Sequence, residues 1–374
     1  MLVERAAHLD AMIRPFLVQY FPEFSTKLYS NMRQSFLNSF VNSKPEKVYS
    51  DFFPQRKIWD IEFSNNIFNS AGMFKNGEGY ELAYRQGAGA FLAGTTTYLP
   101  RAGNEKNGVI HPFIPLPKSK AAINWMGLPN DGHQRIASVL SKIEKKVACP
   151  LGVSISSDPD IDEDTALKNL IEGFELYSKA NVDFIELNES CPNVNHHQCE
   201  TNNGIDLALI KRLEFINSNF LRKRQRNLPV IVKFSVETEI EQVPKLLKLL
   251  IDLDFDGINF GNTAKLYSNY LPLINSTETA PYQAFTSTFG GGVSGNPLKQ
   301  LSLDCCKISV NERNKLHLSK EFAIVRTGGI ETYNDLLESE RIGIDLNQWF
   351  TGYFELFSIF GHKLYKELAE NGKR

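Results

Sequence analysis

After residue 60 the sequence alternates eight short apolar runs with amphipathic segments, and this alternation restricts the fold more than any other feature. The runs are "NIFNSAGMF", "GAFLAGTTT", "CPLGVSISS", "VDFIELNES", "LPVIVKFS", "DGINFGNT", "FAIVRTGGI" and "DLNQWFTGY". Residues 131–146, 165–180, 204–218, 238–253 and 297–312 between them carry helical spacing, and Asp164, with Thr165 behind it, is the expected cap of the second segment. Strands that alternate with helices predict parallel βα units. Eight such units in about 310 residues fit a single (β/α)8 TIM barrel. The rival is a doubly wound open sheet, which calls for GxGxxG after the first strand, and "SAGMFKNGEGY" lacks it.

A barrel of this kind gathers its polar chemistry at the C-terminal ends of the strands. Lys75 follows the first run, Thr95–Thr97 end the second, and Ser154 and Ser156 end the third. Asn188 and Cys191 close the fourth, Asn262 and Thr263 the sixth, Gly328 and Gly329 the seventh, and Thr351 and Gly352 the eighth. Paired glycines after strand seven and Thr-Gly after strand eight let backbone N–H groups approach an anion, at the customary phosphate position of such barrels. "TFGGGVSGNPL" at 288–298 adds a second glycine-rich turn, with Pro297 marking the start of the next helix. Lys233, inside "PVIVKFS", points into the barrel. There it is either half of a buried salt bridge or a cation beside an electron-rich cofactor edge.

The totals exclude several classes of function. A net charge of −2 provides no general attraction to nucleic acid or to an anionic membrane. The basic cluster "LRKRQR" at 221–226 is expected to end a helix in solvent. Five cysteines without a CxxC pair argue against a zinc ribbon or a cysteine-held iron–sulfur cluster and suggest a reducing compartment. "HHQC" at 196–199 is expected to be a polar loop, and no metal is expected. No signal peptide is read at the N-terminus, and no run is long and apolar enough to span a bilayer. Residues 1–57 form an expected helical extension, with the barrel over 58–374. "VERAAHLDAMIRPFLVQYF" and, after an expected cap at Ser25, "STKLYSNMRQSFLNSFVNS" both have amphipathic spacing.

The motifs "AGMFKNG", "AGTTT", "INWMGLPNDG", "ELNESCPN", "VIVKF", "GINFGNT", "GGGVSGNPL" and "RTGGIET" resemble, in order and spacing, the dihydroorotate dehydrogenase family over about residues 58 to 370. "INWMGLPN", "ELNESCPNV" and "TGGIET" are most similar to its soluble, cysteine-based branch. The resemblance implies an FMN-containing barrel that oxidises dihydroorotate to orotate in pyrimidine synthesis. It implies Cys191 as the base that takes a proton from the substrate, a role that needs thiolate character. It assigns the substrate to Lys75, Asn124, Met126, Gly127, Leu128, Asn188, Asn193, Asn262 and Thr263. The flavin falls to Ala71, Gly72, Thr95, Ser154, Asn188, Lys233, Gly295, Gly328, Gly329, Thr351 and Gly352. "PNVNHHQCETNNG" would be a mobile lid that carries the base. The residues leave two alternatives open: an FMN barrel acting on another cyclic amide, or a silent homologue that binds flavin without turnover.

Several positions depart from the family pattern. Glu189 stands where an aliphatic residue is usual, and Arg326 replaces a common glycine. "GNEKNGVIHPF" lacks the Pro-Arg pair expected after "GN", and "NHHQ" lacks the usual Pro-Gly. Ser154 replaces the asparagine of the membrane-associated branch. The N-terminal extension nevertheless resembles that quinone-using branch. The expected acceptor is therefore a quinone or fumarate, and the expected location is the cytoplasm or, through residues 1–45, the inner face of the membrane. A homodimer is one expected assembly.

Overall fold

The computed structural model describes residues 2–48, 53–189, 201–202 and 205–371. All eight expected runs are strands of one parallel sheet: β1 (Ile67–Asn69), β2 (Phe91–Thr96), β3 (Leu151–Ile155), β4 (Phe184–Asn188), β5 (Val230–Ser235), β6 (Gly257–Asn262), β7 (Ala323–Thr327) and β8 (Leu346–Trp349). Their order, β1-β8-β7-β6-β5-β4-β3-β2, leaves only β1 and β2 to meet. They meet through a parallel bridge between Phe74 and Ala93 and through the Gly72 N–H on the Gly94 carbonyl at 2.6 Å. The Asn69 amide supplies what the short β1 backbone does not. Its Nδ2 donates to the Leu92 carbonyl at 2.7 Å and its Oδ1 accepts from the Leu92 N–H at 3.2 Å. Backbone bonds and one side chain thus close the barrel together.

The barrel floor is apolar. Phe68, Leu92, Phe184, Ile231, Val325 and Leu346 fill it, and a hairpin of Arg56–Ile58 and Ile61–Phe63 plugs it from below with Ile58, Trp59 and Phe63. The sequence reading missed this hairpin. Its turn is Trp59–Asp60, both at positive φ (56° and 63°), which suits a two-residue hairpin but lacks the usual Asn-Gly signature.

Above the barrel, Gly292–Gly295, Ala121–Asn124 and Phe113–Leu116 form a three-stranded antiparallel sheet. Part of the expected glycine-rich turn is therefore a strand. Helices α1 (Leu2–Tyr20) and α2 (Pro22–Val41) pack on this sheet and on the helix Thr351–Phe360. Phe40 is fully buried and lies edge-on to Phe357 at 4.7 Å. Arg14 joins Asp10 of α1 to Glu355 at 2.9 Å, and the Tyr29 hydroxyl donates to Asp10 at 2.7 Å. Among the described residues no helix is long and apolar enough to cross a membrane.

Two expected caps are corrected. α2 begins at Pro22, which needs no N–H partner in the first turn, so Ser25 lies buried inside the helix. The helix Glu163–Lys179 is capped by Asp162, which accepts from the Thr165 N–H at 2.9 Å, rather than by Asp164. The basic cluster is also not simply solvated. Arg224 pairs with the Asp256 carboxylate at 2.7 Å, and Arg226 donates to the Val182 carbonyl at 2.7 Å.

Candidate active site

One cavity opens at the C-terminal rim of the barrel, between the strand ends and the small sheet. It is lined by Ala71, Gly72, Lys75, Thr95, Asn124, Met126, Leu128, Asn188, Lys233, Asn262, Thr263, Gly295, Gly328, Gly329, Thr351 and Gly352. Sixteen residues singled out from the sequence, drawn from nearly every strand end, thus face one space. Two do not line it. Ser154 is fully buried behind Thr95, with the hydroxyl oxygens 3.0 Å apart. Gly127 turns at φ 70°, where a Cβ would lie 2.3 Å from Asn104 Oδ1, so it shapes the loop that presents Met126 and Leu128. Cys191 and Asn193, with the expected lid over 192–204 apart from Thr201 and Asn202, lie outside the described residues.

The amides at the rim are ordered by one another. Asn262 Nδ2 donates to Asn188 Oδ1 at 2.8 Å, and Asn188 Nδ2 donates to Thr95 Oγ1 at 3.1 Å. Each remains within reach of the cavity with capacity to spare, as suits a ring bearing both N–H and C=O groups. Lys75 and Lys233 put two nearly buried amines on the same space.

The opposite end suits a phosphate. The helix Thr351–Phe360 starts at the cavity with no side-chain cap among the described residues, and Gly328 and Gly329 stand beside it. At Gly72 (φ 98°) and Gly328 (φ 122°) an added Cβ would meet no protein atom closer than 3.8 and 3.6 Å, respectively, so both backbones border open space. A polar group with an anionic tail and a flat, hydrogen-bonding head fits these walls.

Sequence reasoning passed over further lining residues: Phe113, Ser294, Thr327, Glu331 and Phe350. All five lie inside stretches already quoted, and membership of those stretches was the available signal. Glu331 is nearly buried, and burial holds its carboxyl above the ordinary range despite Lys120 at 3.2 Å. Arg33 of α2 reaches the cavity wall, where its Nη2 donates to the Gly72 carbonyl at 3.2 Å.

Two departures from the family pattern are resolved by geometry. Arg326 is fully buried but points out of the barrel. It donates to Ser302 Oγ at 3.2 Å, Ser339 Oγ at 3.0 Å, and the Asp335 and Lys299 carbonyls, both at 3.3 Å. Glu189 turns to Arg212 and away from open solvent.

The chain is similar to the dihydroorotate dehydrogenase (quinone) of a Cyanothece species, 27% identical over 304 residues, covering 80% of this chain and 74% of that protein. The protein of the same name from Buchnera aphidicola subsp. Schizaphis graminum is 26% identical over 320 residues, covering 84% and 88%. In fold the chain is similar to the crystal structure of DHODH from Eimeria tenella in complex with ferulenol, with a TM-score of 0.72 at 20% identity, covering 96% of this chain and 93% of that one. The family model for dihydroorotate dehydrogenase matches residues 54–371, and the chain belongs to that family.

Proposed function

We propose that this chain oxidises dihydroorotate to orotate with FMN in the rim cavity, Cys191 as the proton-abstracting base, and a quinone as the final acceptor. The observation that carries this is the single cavity in which Gly328, Gly329 and Thr351 stand at one end and Asn124, Asn188 and Asn262 at the other. When bound, FMN supplies a two-electron acceptor. Gly295, Gly328, Gly329, Thr351 and Gly352 would hold its phosphate and ribityl chain. Ala71, Gly72, Thr95 and Lys233 would hold its ring, with Ser154 behind Thr95. Asn124, Asn188, Asn193, Asn262 and Thr263 would orient the pyrimidine and its carboxylate, with Lys75, Met126 and Leu128 closing the space and Gly127 shaping their loop. Cys191 would take the proton from the carbon next to the substrate carbonyl, as a hydride leaves the adjacent carbon.

The name "quinone" borne by the similar proteins favours a quinone over fumarate. The surface of α1 agrees. Leu2, Leu9, Met12, Ile13, Phe16 and Tyr20 are all exposed, and Phe21 and Phe24 continue the patch. So large an apolar face marks a docking surface, here for a membrane from which a quinone would be drawn. The exposed face supports a peripheral location, at the inner face of a membrane.

Anaerobic titration tests the reading. The protein loaded with FMN should bleach on addition of dihydroorotate. A protein that takes up no FMN, or whose flavin ignores dihydroorotate, would overturn it.

A further inference from the structure

Directly beneath the rim cavity the barrel interior departs from what such barrels contain. Branched apolar side chains usually fill these layers. Here Glu186 (β4), Lys233 (β5), Asn259 (β6), Thr327 (β7) and Gln348 (β8) form one buried polar layer across five consecutive strands. Glu186 is its hub. Its Oε2 accepts from Asn259 Nδ2 at 2.8 Å and Gln348 Nε2 at 2.7 Å, and its Oε1 faces Lys233 Nζ at 3.5 Å.

The amide orientations follow from the other contacts. Asn259 Oδ1 accepts from the Thr327 hydroxyl at 2.9 Å, and Gln348 Oε1 accepts from Lys233 Nζ at 3.3 Å. Both NH2 groups are thereby turned to Glu186. Three donors thus converge on one carboxyl, an arrangement that suits an acceptor. Lys233 and Thr327 reach the cavity, while Glu186 does not line it.

Stability does not explain this arrangement. A buried ion pair at best roughly breaks even against apolar residues of the same volume. What the layer does accomplish is to hold one ammonium at the cavity floor with a full countercharge behind it. Its contacts, at 3.3 and 3.5 Å, are long for a charge-assisted bond, so the ammonium is offset without being fully claimed.

We propose that Glu186 is a positioning residue that sets, through Lys233, how strongly the site attracts electrons into a bound flavin. The inference rests on the FMN reading above. A cation at the flavin's edge favours the reduced, more negative form, and the carboxylate behind it moderates that pull. Removing the carboxylate's charge while keeping its shape should make the flavin a stronger oxidant.

The test is a redox titration of FMN-loaded wild type, Glu186→Gln and Glu186→Asp. Glu186→Gln should shift the flavin's reduction equilibrium about tenfold toward the reduced form, about 30 mV for a two-electron couple. Glu186→Asp, which keeps the charge, should stay within about twofold of wild type. A Glu186→Gln protein that binds FMN at the wild-type potential overturns the inference. If that variant does not fold, Lys233→Met is compared with the double variant. Lys233→Met alone strands a buried carboxylate, so the double variant should retain FMN better than the single one. Losses that simply add would overturn the inference. A wild-type protein that takes up no FMN sinks the flavin reading itself, and this inference with it.

Discussion

Glu189, the residue after β4, is clasped by Arg212 from the helix Leu207–Asn219. Arg212 Nε lies 2.9 Å from both carboxylate oxygens and Nη2 lies 2.8 Å from Oε2. Glu189 is nearly buried, and its charge in turn raises the proton affinity of the Arg212 guanidinium. In sequence Glu189 stands two residues before Cys191. A free carboxylate there would oppose a thiolate, because like charges disfavour the charged form. Arg212→Gln should therefore slow dihydroorotate oxidation at pH 7 by about tenfold, with activity recovering as pH rises. FMN retention should be unchanged. A pH–rate profile superimposable on wild type would show that the clasp has no bearing on the base.

Much of the barrel was legible because each strand is a short apolar run ending in a polar cluster. Position within the strand was also readable, although it went unused. In "AIVRT" the period of two puts Val325 and Thr327 on one face and Arg326 on the other, so Arg326 had to point away from the cavity. The polar layer was not legible. Lys233 suggested a partner, but Glu186 lies 47 residues away and Gln348 lies 115 residues away. Only closure of the barrel brings β4, β5 and β8 together. At the closing seam the Asn69 amide supplements the backbone bonds, which no run of apolar residues announces.

Arg326 ties β7 to the helices Lys299–Lys315 and Tyr333–Ile342 through four acceptors and no carboxylate. Burial pushes its guanidinium below the ordinary arginine value. Arg326→Ala should destabilise the fold by about 3 to 5 kcal/mol, from the void and the orphaned acceptors together. Denaturant unfolding measures this. A loss under about 1 kcal/mol would mean that water replaces the side chain at little cost.

His133 gives an acid limit to stability. It is buried against Gly173, where a Cβ would lie 2.5 Å from its Cδ2, and burial lowers its pKa to about 3. Its Nδ1 lies 2.9 Å from Thr96 Oγ1, while Nε2 is buried without a partner among the described residues. The unfolded chain takes up a proton near pH 6.5, whereas the folded chain stays neutral until about pH 3. Stability from this group is complete above pH 6.5 and falls as pH drops below it, by about 2 kcal/mol at pH 5. His133→Asn should flatten that part of the pH dependence in thermal melts. Parallel curves for the two proteins would assign the acid sensitivity to other groups.

The exposed face of α1 separates the membrane reading from simple packing. Its inner face is committed already: Val3, Ala7, Arg14 and Val18 are buried against the body. The outer face carries Leu9, Met12 and Phe16, each more than half exposed. From α2, Phe36 packs on Phe354 at 6.3 Å, and Phe354 packs on Phe350 of the cavity wall at 5.3 Å. An aromatic path thus joins the extension to the site. Replacing Leu9, Met12 and Phe16 together by Gln leaves the buried face intact, so the fold and FMN should persist. Binding to anionic lipid vesicles should fall at least tenfold, since each buried apolar side chain contributes about 1.5 to 3 kcal/mol. Reduction of a vesicle-borne quinone should fall with it, while a water-soluble acceptor and flavin reduction by dihydroorotate should keep their rates. Vesicle binding and quinone turnover both at wild-type levels would leave α1 as packing alone, with the acceptor reaching the flavin by another route.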